Sequence, residues 1–473
     1  MKTDIPRDPV LGSGSANPLA NPATLRRVLL AASVGTLFEW YDFYLYGSLA
    51  VFFGGLFFPK GNDTAQLLAS LATFGAGFGV RPLGALVFGY FGDLIGRKYT
   101  FLVTMATMGI STALVGLLPT YASVGLMATV LLVLLRLLQG LALGGEYGGA
   151  ATYVAEHVPD EKRGYYTSFI QTTATLGFFL SMGIIGTTRV LLGEADFKSY
   201  GWRIPFLLSF ILLGVSLYIR LKMKESPLFA KLKSSGKTSI NPLKESFTNH
   251  LNLKYVMLAL FGATAGQGVV WYTGQFYALT FLQSALKVPW KTAYLLVSAA
   301  LILTTPLFVY FGRLSDRIGR KQIMIWGCLL AAVTYIPIYM AMKAFSNPHG
   351  LAVADAAELN WPVMILLLCI QMVYVCMVYG PIAAFLVELF PTKIRYTSMS
   401  VPYHLGTGWF GGFLPLIATA LTTSAWAKST FGAGAIYTGL IYPIGICLIT
   451  ITVSSLFIRE TKDHKIDAEV RAA

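Results

Sequence analysis

Twelve long apolar stretches constrain the fold of this chain more than any other feature. A helix needs about 20 mainly apolar residues to cross the hydrocarbon core of a bilayer. Charged residues make up only 12% of the 473 residues, about half the share found in soluble proteins. The sequence therefore predicts an all-α integral membrane protein with both termini on one side. The twelve predicted spans cover residues 27–55, 66–90, 99–119, 124–152, 165–191, 202–222, 255–284, 291–311, 321–343, 361–386, 397–421 and 433–458.

The net charge of +14 reflects membrane topology rather than nucleic-acid binding. An excess of Lys and Arg marks the cytoplasmic loops of membrane proteins, and a basic stripe with interleaved aromatic residues is absent. We therefore expect a multi-pass protein of the cell inner membrane, with cytoplasmic termini and no nucleic-acid partner. The basic residues on the predicted cytoplasmic side include Arg26, Arg27, Arg97, Lys98, Arg317, Arg320, Lys393 and Arg395.

Motifs of enzymes and metal sites are missing from the sequence. It contains no HExxH, no GxSxG and no cluster of cysteine and histidine ligands. Cys328, Cys369, Cys376 and Cys447 lie in apolar segments without a CxxC pair, which is typical of packing thiols. We expect neither enzymatic activity nor a bound metal or cofactor.

The spans divide six and six around one long polar segment. We expect a disordered cytoplasmic tail over residues 1–24, a six-helix bundle over 25–222 and a cytoplasmic linker over 223–253. A second bundle over 254–458 and a short cytoplasmic tail over 459–473 follow. A linker at the midpoint is typical of transporters built by internal duplication.

Two charged motifs recur at equivalent places in the two halves. The sequence GYFGDLIGRK (89–98) follows the second span, and GRLSDRIGRK (312–321) follows the eighth. The pattern E-x-x-P-x-x-x-R runs from Glu156 to Arg163 after the fourth span and from Glu388 to Arg395 after the tenth. Two independent motifs at matching positions indicate a six-plus-six duplication.

With these motifs the sequence resembles the major facilitator superfamily over nearly its whole length. The loop G-x-x-x-D-x-x-G-R-K, its second copy and RLLQG (136–140) are marks of that superfamily. A narrower resemblance, to the metabolite:proton symporters, implies an alternating-access carrier driven by the proton gradient. It is carried by FEWYDFYLYG (38–47), GVRPLGALVFGYFGDLIGRK (79–98), GGEYGGA (144–150) and GQGVVWYTGQFYAL (266–279).

The resemblance leaves the substrate class open, because that family includes carriers of shikimate, oxoglutarate, citrate, and proline or betaine. Its osmosensing members end in a long cytoplasmic tail with apolar heptads, whereas this chain ends in RETKDHKIDAEVRAA without one. We therefore expect a symporter that imports a small organic acid as a functional monomer. A zwitterionic osmolyte is the alternative, and a sugar or drug carrier of the same fold fits the embedded charges less well.

Glu39 and Asp42 lie three residues apart near the middle of the first span, on one helical face. A charge at mid-membrane costs at least about 2.5–3.5 kcal/mol, so these acids must face a polar cavity or a partner. Burial and the proximity of a like charge both raise proton affinity, which would allow either acid to carry the coupled proton. The alternative is that one acid neutralises a buried base while the other only packs.

Arg136 in the fourth span is the expected partner of these acids. Spans 1, 4, 7 and 10 should line the cavity, which places Arg136 at a depth comparable to that of Asp42. Its guanidinium can bind a carboxylate through two hydrogen bonds, first that of Asp42 or Glu39 and then that of the substrate. Gln139, on the same face, and Tyr41 are further candidates for substrate binding. A static ion pair is the alternative role for Arg136.

Glu146 in GGEYGGA is a third intramembrane acid and a candidate proton relay or partner of Arg81. Arg81 lies about two turns, or ~12 Å, before the cytoplasmic end of the second span. From there its side chain could extend to the interface; we favour a structural pairing and group it with the gating charges. Gly140, Gly144 and Gly148 are spaced by four residues, which predicts close packing against another helix.

The seventh span carries a polar stripe that is expected to face the cavity. Gln267, Trp271 and Gln275 are spaced by four residues, with Tyr272 beside them and glycines that weaken the helix. Amide and indole groups suit a carboxylate or a hydroxyl, although packing alone would also explain the aromatic residues. Weaker candidates for the same cavity are Gln171, Gln371, Tyr374 and His404.

The duplicated loop charges are expected to act as gates. Asp93 and Arg97, one turn apart, cannot both be satisfied within so short a loop. They should pair with charges of neighbouring helices, such as Arg163, Glu156 or Arg395, when the cytoplasmic ends close and separate when they open. A solvated run of charge is the alternative. The candidate gating residues are Arg81, Asp93, Arg97, Glu156, Arg163, Asp316, Arg320, Glu388 and Arg395.

Overall fold

A computed structural model describes residues 22–95, 97–145, 147–221, 247–248, 250–391 and 394–464, apart from the side chains of residues 22–28, 30–32, 92–95, 97–98, 101 and 220. Every regular element within these residues is helical. Nine of the described helices are long and apolar enough to cross a membrane, and shorter apolar helices cover Leu102–Val115 and Arg203–Ile219. Together with the helix that begins at Pro22, they account for the twelve predicted spans.

The spans are named α1 to α12 in chain order, and four of them are given as two segments. They are α1 (Pro22–Ser48 and Ala50–Phe57), α2 (Asp63–Gly79 and Arg81–Ile95), α3 (Arg97–Val115), α4 (Leu126–Gly144 and Tyr147–Ala155), α5 (Asp160–Gly201), α6 (Arg203–Leu207 and Ser209–Leu221), α7 (His250–Ser284), α8 (Trp290–Ile318), α9 (Arg320–Ser346), α10 (Trp361–Leu389), α11 (Arg395–Thr423) and α12 (Ala425–Phe457).

The helix ends differ from the predicted ones mainly in α5 and α12. Both helices extend well past the apolar stretch, because polar residues at helix ends lie outside the hydrocarbon and do not interrupt the backbone hydrogen bonds. The tail predicted over 1–24 loses its last residues to α1, which begins at Pro22. Most of this tail and of the predicted linker, 223–253, lies outside the described residues, so these two boundaries stay predictions.

Glycines of α4 allow the closest helix contacts of the first bundle. A Cβ atom at Gly140 or Gly144 would overlap carbonyl oxygens of the α2 backbone. A Cβ atom at Gly148 would overlap the Ser400 hydroxyl of α11. The predicted small-residue face is therefore confirmed, and it serves packing within the first bundle at one end and between the bundles at the other.

The two bundles meet along α5 and α8 and along α2 and α11. A Cβ atom at Gly164 of α5 would lie 2.5 Å from the carbonyl oxygen of Gly312 in α8, and one at Gly408 of α11 would lie 2.9 Å from that of Phe78 in α2. The duplication makes α2 equivalent to α8 and α5 equivalent to α11. Equivalent pairs of helices therefore make close contact twice across the interface.

Helices α7 and α11 of the second bundle contain wide π-helical turns, at Leu260–Thr264 and Thr273–Tyr277 in α7 and at Leu405–Gly412 in α11. Such turns are rare and concentrate at functional sites. The local weakening of α7 that its glycines predict is therefore confirmed, and it falls within the segment that carries the polar stripe.

The topology makes a direct prediction for cysteine labelling. His349, between α9 and α10, and Glu161, at the start of α5, are both exposed and lie at opposite ends of the bundles. In a variant whose four native cysteines are replaced by serine, His349→Cys should react with an impermeant maleimide added to intact cells. Glu161→Cys should react only in inverted or permeabilised membranes. Labelling of both positions from the same side would contradict this arrangement.

Candidate functional site

The two acids of α1 lie inside the first bundle. Glu39 and Asp42 are 3% and 4% exposed. Asp42 Oδ1 accepts a hydrogen bond of 2.5 Å from Ser209 Oγ of α6. Tyr41, predicted to contact substrate, donates its hydroxyl proton to the carbonyl oxygen of Pro205, also in α6, at 2.7 Å. The contacts made by Tyr41 and Asp42 therefore lie within the first bundle rather than toward the second.

Arg136 does not pair with Asp42, so that prediction is wrong for this conformation. Its Nη1 donates to Gln139 Oε1 at 2.6 Å and to the carbonyl oxygen of Phe43 at 3.3 Å. The guanidinium lies 4.2 Å from the ring centre of Phe43 and 4.7 Å from that of Tyr46. Successive residues are about 100° apart around a helix. Because Phe43 faces Arg136, Asp42 is turned away from it toward α6.

Arg81 is fully buried. Its side chain therefore does not extend to the cytoplasmic interface, which the sequence left possible beside the favoured structural pairing. Gly144 of α4 packs on the backbone at Arg81 and holds this turn of α2 inside the protein. The guanidinium lies 5.1 Å from the ring centre of Phe78 and 5.5 Å from that of Trp40. None of its three nitrogens has a hydrogen-bond partner in the described part of the chain. Glu146, the expected partner and proton relay, lies outside the described residues.

The polar stripe of α7 faces the first bundle, as predicted. Gln267, Trp271, Tyr272 and Gln275 are all buried, and the Trp271 ring stacks on Tyr44 of α1 at 5.4 Å. Among the described residues, the Oε1 atoms of both glutamines and Nε1 of the tryptophan have no hydrogen-bond partner. These polar atoms are therefore available to a ligand between the bundles.

An aromatic layer joins the bundles around this stripe, and our sequence reasoning missed it. Its rings meet across the interface in stacked, tilted and edge-to-face arrangements, at centre distances from 4.2 Å for Phe178 and Phe276 to 6.5 Å for Phe74 and Tyr272. The abundance of aromatic residues in FEWYDFYLYG was the available signal. The aromatic layer consists of Tyr44, Phe74, Phe78 and Phe178 from the first bundle and Trp271, Tyr272 and Phe276 from the second.

A second group of polar side chains meets around Tyr403 of α11. Its ring stacks on Tyr147 of α4 at 3.5 Å, and its hydroxyl shares a hydrogen bond of 3.0 Å with that of Tyr379 in α10. Gln171 of α5 donates through Nε2 to the Tyr147 hydroxyl at 2.7 Å. His404 is buried, and neither ring nitrogen has a partner in the described part of the chain. Gln171 and His404 thus come together near the interface.

Gln371 and Tyr374 face the interior of the second bundle, so their predicted contacts with substrate are not supported. Thr334 Oγ1 of α9 donates to the Tyr374 hydroxyl at 3.0 Å, and Gln371 Nε2 donates to Met342 Sδ of α9 at 3.5 Å. Residues three apart share a helical face. This face of α10 packs on α9 rather than on the first bundle.

At the cytoplasmic ends, the duplicated charges pair reciprocally between the bundles. Arg163 of α5 donates to Glu388 of α10 at 2.8 Å, and Arg395 Nη1 of α11 lies 3.7 Å from Glu156 Oε1 after α4. The two arginines are equivalent in the repeat, and so are the two glutamates. All four side chains are buried. These four residues are among the predicted gating charges, but their partners differ from the ones expected, because Arg163, Glu156 and Arg395 were expected to pair with Asp93 or Arg97.

Asp316 closes the same end by capping α5. Its carboxylate accepts hydrogen bonds from the backbone N–H groups of Gly164 at 2.8 Å and Tyr165 at 2.9 Å, where the helix dipole favours a negative charge. Arg320 connects this carboxylate, at 2.6 Å, to that of Glu388, at 3.0 Å. We call Glu156, Arg163, Asp316, Arg320, Glu388 and Arg395 the cytoplasmic latch.

The extracellular ends are joined by a contact that our sequence reasoning missed. Arg189 of α5 binds Glu194 through two nitrogens at 2.7–3.0 Å and lies 4.1 Å from a ring centre of Trp290, the first residue of α8. Trp290 Nε1 donates to Glu194 Oε1 at 2.8 Å. Nearby, the Tyr294 hydroxyl of α8 donates to the carbonyl oxygen of Ser48 at 2.6 Å. We call Arg189, Glu194 and Trp290 the extracellular clasp; with both ends joined, the conformation is occluded.

The side chains of Asp93 and Arg97, in the first copy of the loop motif, lie outside the described residues. Their gating role therefore stays a prediction, and the second copy of the motif shows how to test it. The repeat aligns Asp93 with Asp316, so Asp93 should cap α11 as Asp316 caps α5. A hydrogen bond to a charged group contributes about 1.5–3 kcal/mol. Asp93→Asn and Asp316→Asn should therefore each slow transport about tenfold or more and leave substrate binding within a few fold.

Uptake and equilibrium binding in proteoliposomes check this prediction, with Glu161→Gln as a control on an exposed position of the same surface. Transport at the normal rate by either Asp93→Asn or Asp316→Asn would remove the argument for a latch.

Weakening the extracellular clasp should expose the interface from outside. Glu194→Lys places a cation beside Arg189, so it should open this end more than Glu194→Gln, which only removes the charge. The measure is the rate at which Ser48→Cys reacts with an impermeant thiol reagent on intact cells. Glu358→Lys, at an exposed extracellular position, is the control. Equal labelling rates in all variants would show that the clasp does not hold this end closed.

Comparison with known proteins finds a matching family model and several similar transporters. A family model described as sugar (and other) transporter matches residues 28–469. An inner membrane metabolite transport protein of Escherichia coli strain K12 is 36% identical over 437 residues, which cover 90% of this chain and 93% of the relative. The shikimate transporter of that strain is 34% identical over 92% of this chain and 95% of the relative. The proline/betaine transporter of the same strain is 33% identical over 407 residues, which cover 85% of this chain and 78% of the relative.

Among solved structures, the proton:xylose symporter XylE of the major facilitator superfamily shares the fold. With 6-bromo-6-deoxy-D-glucose bound, it superposes with a TM-score of 0.71 at 19% identity, over 96% of this chain and 99% of that one. The partially occluded inward-open conformation of XylE superposes with a TM-score of 0.67 at 18% identity, over 94% of this chain and 100% of that one. The protein is a multi-pass inner membrane transporter rather than an enzyme, and it belongs to the sugar (and other) transporter family of the major facilitator superfamily.

Proposed function

We propose that this transporter is a proton-driven symporter that imports a small organic anion by alternating access. One observation carries the proposal: Arg81 and Arg136 are fully buried, and neither has a carboxylate partner in the described part of the chain. A buried charge that lacks a partner costs several kcal/mol, and intramembrane charges mark substrate pathways. Cations retained at this depth favour an anionic cargo.

The names of the relatives agree with a carboxylate cargo. One relative is a shikimate transporter and another a proline/betaine transporter, and these three compounds have a carboxylate in common. The carboxylate is therefore the part of the cargo that the buried arginines should recognise, whatever the rest of the molecule is.

Asp42 is the group that we propose to carry the proton. It is buried against the Ser209 hydroxyl, and no cation pairs with it among the described residues. Burying a neutral acid costs far less than burying a carboxylate. The occluded conformation therefore favours protonated Asp42, and opening to the lower proton concentration of the cytoplasm favours release.

Coupling follows from the cost of closing the bundles over unbalanced charge. An empty carrier would bury an arginine without its anion, and a carrier with substrate alone would bury the Asp42 carboxylate. When both ligands are present, the arginine is neutralised by the substrate and Asp42 by the proton. The doubly loaded protein therefore closes most easily, which is the requirement for symport.

A zwitterionic osmolyte is the second candidate cargo, and a specific observation favours it. In the aromatic layer, Tyr44 and Tyr272 lie close enough to Arg81 to interact with it electrostatically, and both rings contact Trp271. Aromatic faces bind quaternary ammonium groups through cation–π interactions. A panel of labelled carboxylates and glycine betaine, tested in proteoliposomes with an imposed pH gradient, separates the two candidates. If betaine is taken up and its uptake rises with osmolality, the zwitterionic osmolyte is the favoured cargo.

Asp42→Asn tests the proton carrier, because it mimics the protonated acid permanently. It should abolish uphill uptake driven by a pH gradient and leave counterflow exchange of labelled for unlabelled substrate intact, since exchange moves no net proton. Tyr374→Phe, inside the second bundle, is the control and should retain both. If Asp42→Asn still concentrates substrate, the proton moves elsewhere, with Glu39 and then Glu146 next to be tested.

A further inference from the structure

We infer that Arg81, at the contact between the two bundles, binds the substrate carboxylate, and that hydroxyl groups of the substrate bind Gln171 and Gln267. The substrate is thus a hydroxylated carboxylate. The inference rests on the proposed function, which assigned an anion to the protein without choosing between the two buried arginines.

Arg136 is held mainly by its own bundle, and across the interface it interacts electrostatically with Tyr272 of α7. Its hydrogen bonds go to Gln139 and to the backbone of Phe43, and its ring contacts are with Phe43, Tyr46 and Phe74. All of these belong to α1, α2 and α4. Alternating access requires a site between the moving halves, so that one half can release what the other held. Since every hydrogen bond and ring contact of Arg136 given above lies within the first bundle, a carboxylate bound there would be held mainly by that half.

Arg81 meets the second bundle directly. It lies close enough to interact electrostatically with Tyr272 of α7 and with Tyr403 and His404 of α11. None of its three guanidinium nitrogens and neither ring nitrogen of His404 makes a hydrogen bond of good geometry in the described part of the chain, although the Tyr403 side chain lies close to Arg81 and the Gly144 backbone lies close to His404. A carboxylate placed between them can accept from Arg81 on one side and from His404 on the other.

Gln171 and Gln267 are each linked to Tyr403 by neighbouring aromatic side chains. Gln171 binds the hydroxyl of Tyr147, whose ring stacks on Tyr403. Gln267 lies one helical turn from Trp271, whose ring is 6.4 Å from that of Tyr379, the hydroxyl partner of Tyr403. The two glutamines therefore flank the site from opposite bundles.

The Oε1 atoms of both glutamines lack a partner in the described residues. An amide offers an acceptor and a donor, and a hydroxyl group both donates and accepts, so hydroxyls satisfy these side chains in either orientation. Glycine betaine has no O–H or N–H group and would leave them unpaired, at a cost on the order of tenfold in affinity for each buried group.

Such a ligand also explains why loading favours closure. The carboxylate would be held by Arg81 from the first bundle and His404 from the second, and the hydroxyls by Gln171 and Gln267 in the same way. A ligand that contacts both bundles binds the closed conformation more tightly than an open one, and it shifts the equilibrium by that difference.

Binding to the purified full-length transporter tests the inference. The probes are shikimate, quinate and gluconate as hydroxylated carboxylates, their methyl esters without the charge, cyclohexanecarboxylate without hydroxyls, and glycine betaine. We expect at least one of the first three to bind. Its methyl ester should lose at least about a hundredfold in affinity, and the compound without hydroxyls about tenfold or more.

The decisive variant is Arg81→Met, compared with Arg136→Met. Arg81→Met should abolish carboxylate binding and raise the melting temperature of the ligand-free protein, because it removes an uncompensated buried charge. A structural arginine would lower that temperature. Arg81→Lys should rescue binding poorly, since an ammonium cannot form the bidentate contact. Gln171→Leu and Gln267→Leu should selectively weaken hydroxylated ligands, whereas Gln371→Leu, which faces α9, should not.

The outcomes separate this inference from the proposed function. If Arg136→Met abolishes carboxylate binding and Arg81→Met does not, the site assigned here is wrong while the organic-anion symporter stands. If cyclohexanecarboxylate binds as well as the hydroxylated acids, the role of the glutamines is wrong. If none of the anionic carboxylates of the panel binds the unmodified protein, both proposals fail, whether or not glycine betaine binds.

Discussion

Glu388 is buried where the two bundles meet and accepts hydrogen bonds from Arg163, Arg320 and Thr461. Only Arg163 belongs to the opposite bundle. When the cytoplasmic ends separate, Glu388 keeps Arg320 and Thr461, and Arg163 keeps its ion pair with Asp160 on its own side. Neither Glu388 nor Arg163 is therefore left without a partner in its own half. Breaking a buried ion pair by stranding one partner costs about 3–5 kcal/mol, and for this pair opening avoids most of that cost.

The buried charge in the middle of the protein differs from the charges at the cytoplasmic ends, because it lacks a partner in its own bundle among the described residues. Arg81 has no local hydrogen-bond partner among the described residues and rests against aromatic rings. Glu388, Arg163 and Arg320 each have a partner within their own bundle, whereas we propose that Arg81 is paired by the cargo. On this proposal the protein separates two tasks that both need buried charge: the ends move without dependence on substrate, and the centre makes closure depend on it.

The sequence predicts the twelve spans and the duplication, because each of these leaves a local pattern in the chain. It predicts which way α7 faces from a polar stripe, but it does not predict the facing of α1 or α10. Asp42 and Phe43 are adjacent, yet one contacts α6 and the other Arg136, and a rotation of about 100° separates these outcomes. The same uncertainty misplaced Gln371 and Tyr374. The extracellular clasp was missed because Trp290 and Glu194 are far apart in the chain and carry no repeated motif.

The two ends of the interface differ in how strongly they resist opening. The side chain of Glu194 in the extracellular clasp is 62% exposed, whereas that of Glu388 in the cytoplasmic latch is fully buried. Exposed ion pairs contribute at most about 1 kcal/mol, while hydrogen bonds to buried charges contribute about 1.5–3 kcal/mol each. The extracellular end is therefore the easier one to open in the unloaded protein. An importer benefits from this order, because the empty site then faces the side from which substrate and protons arrive.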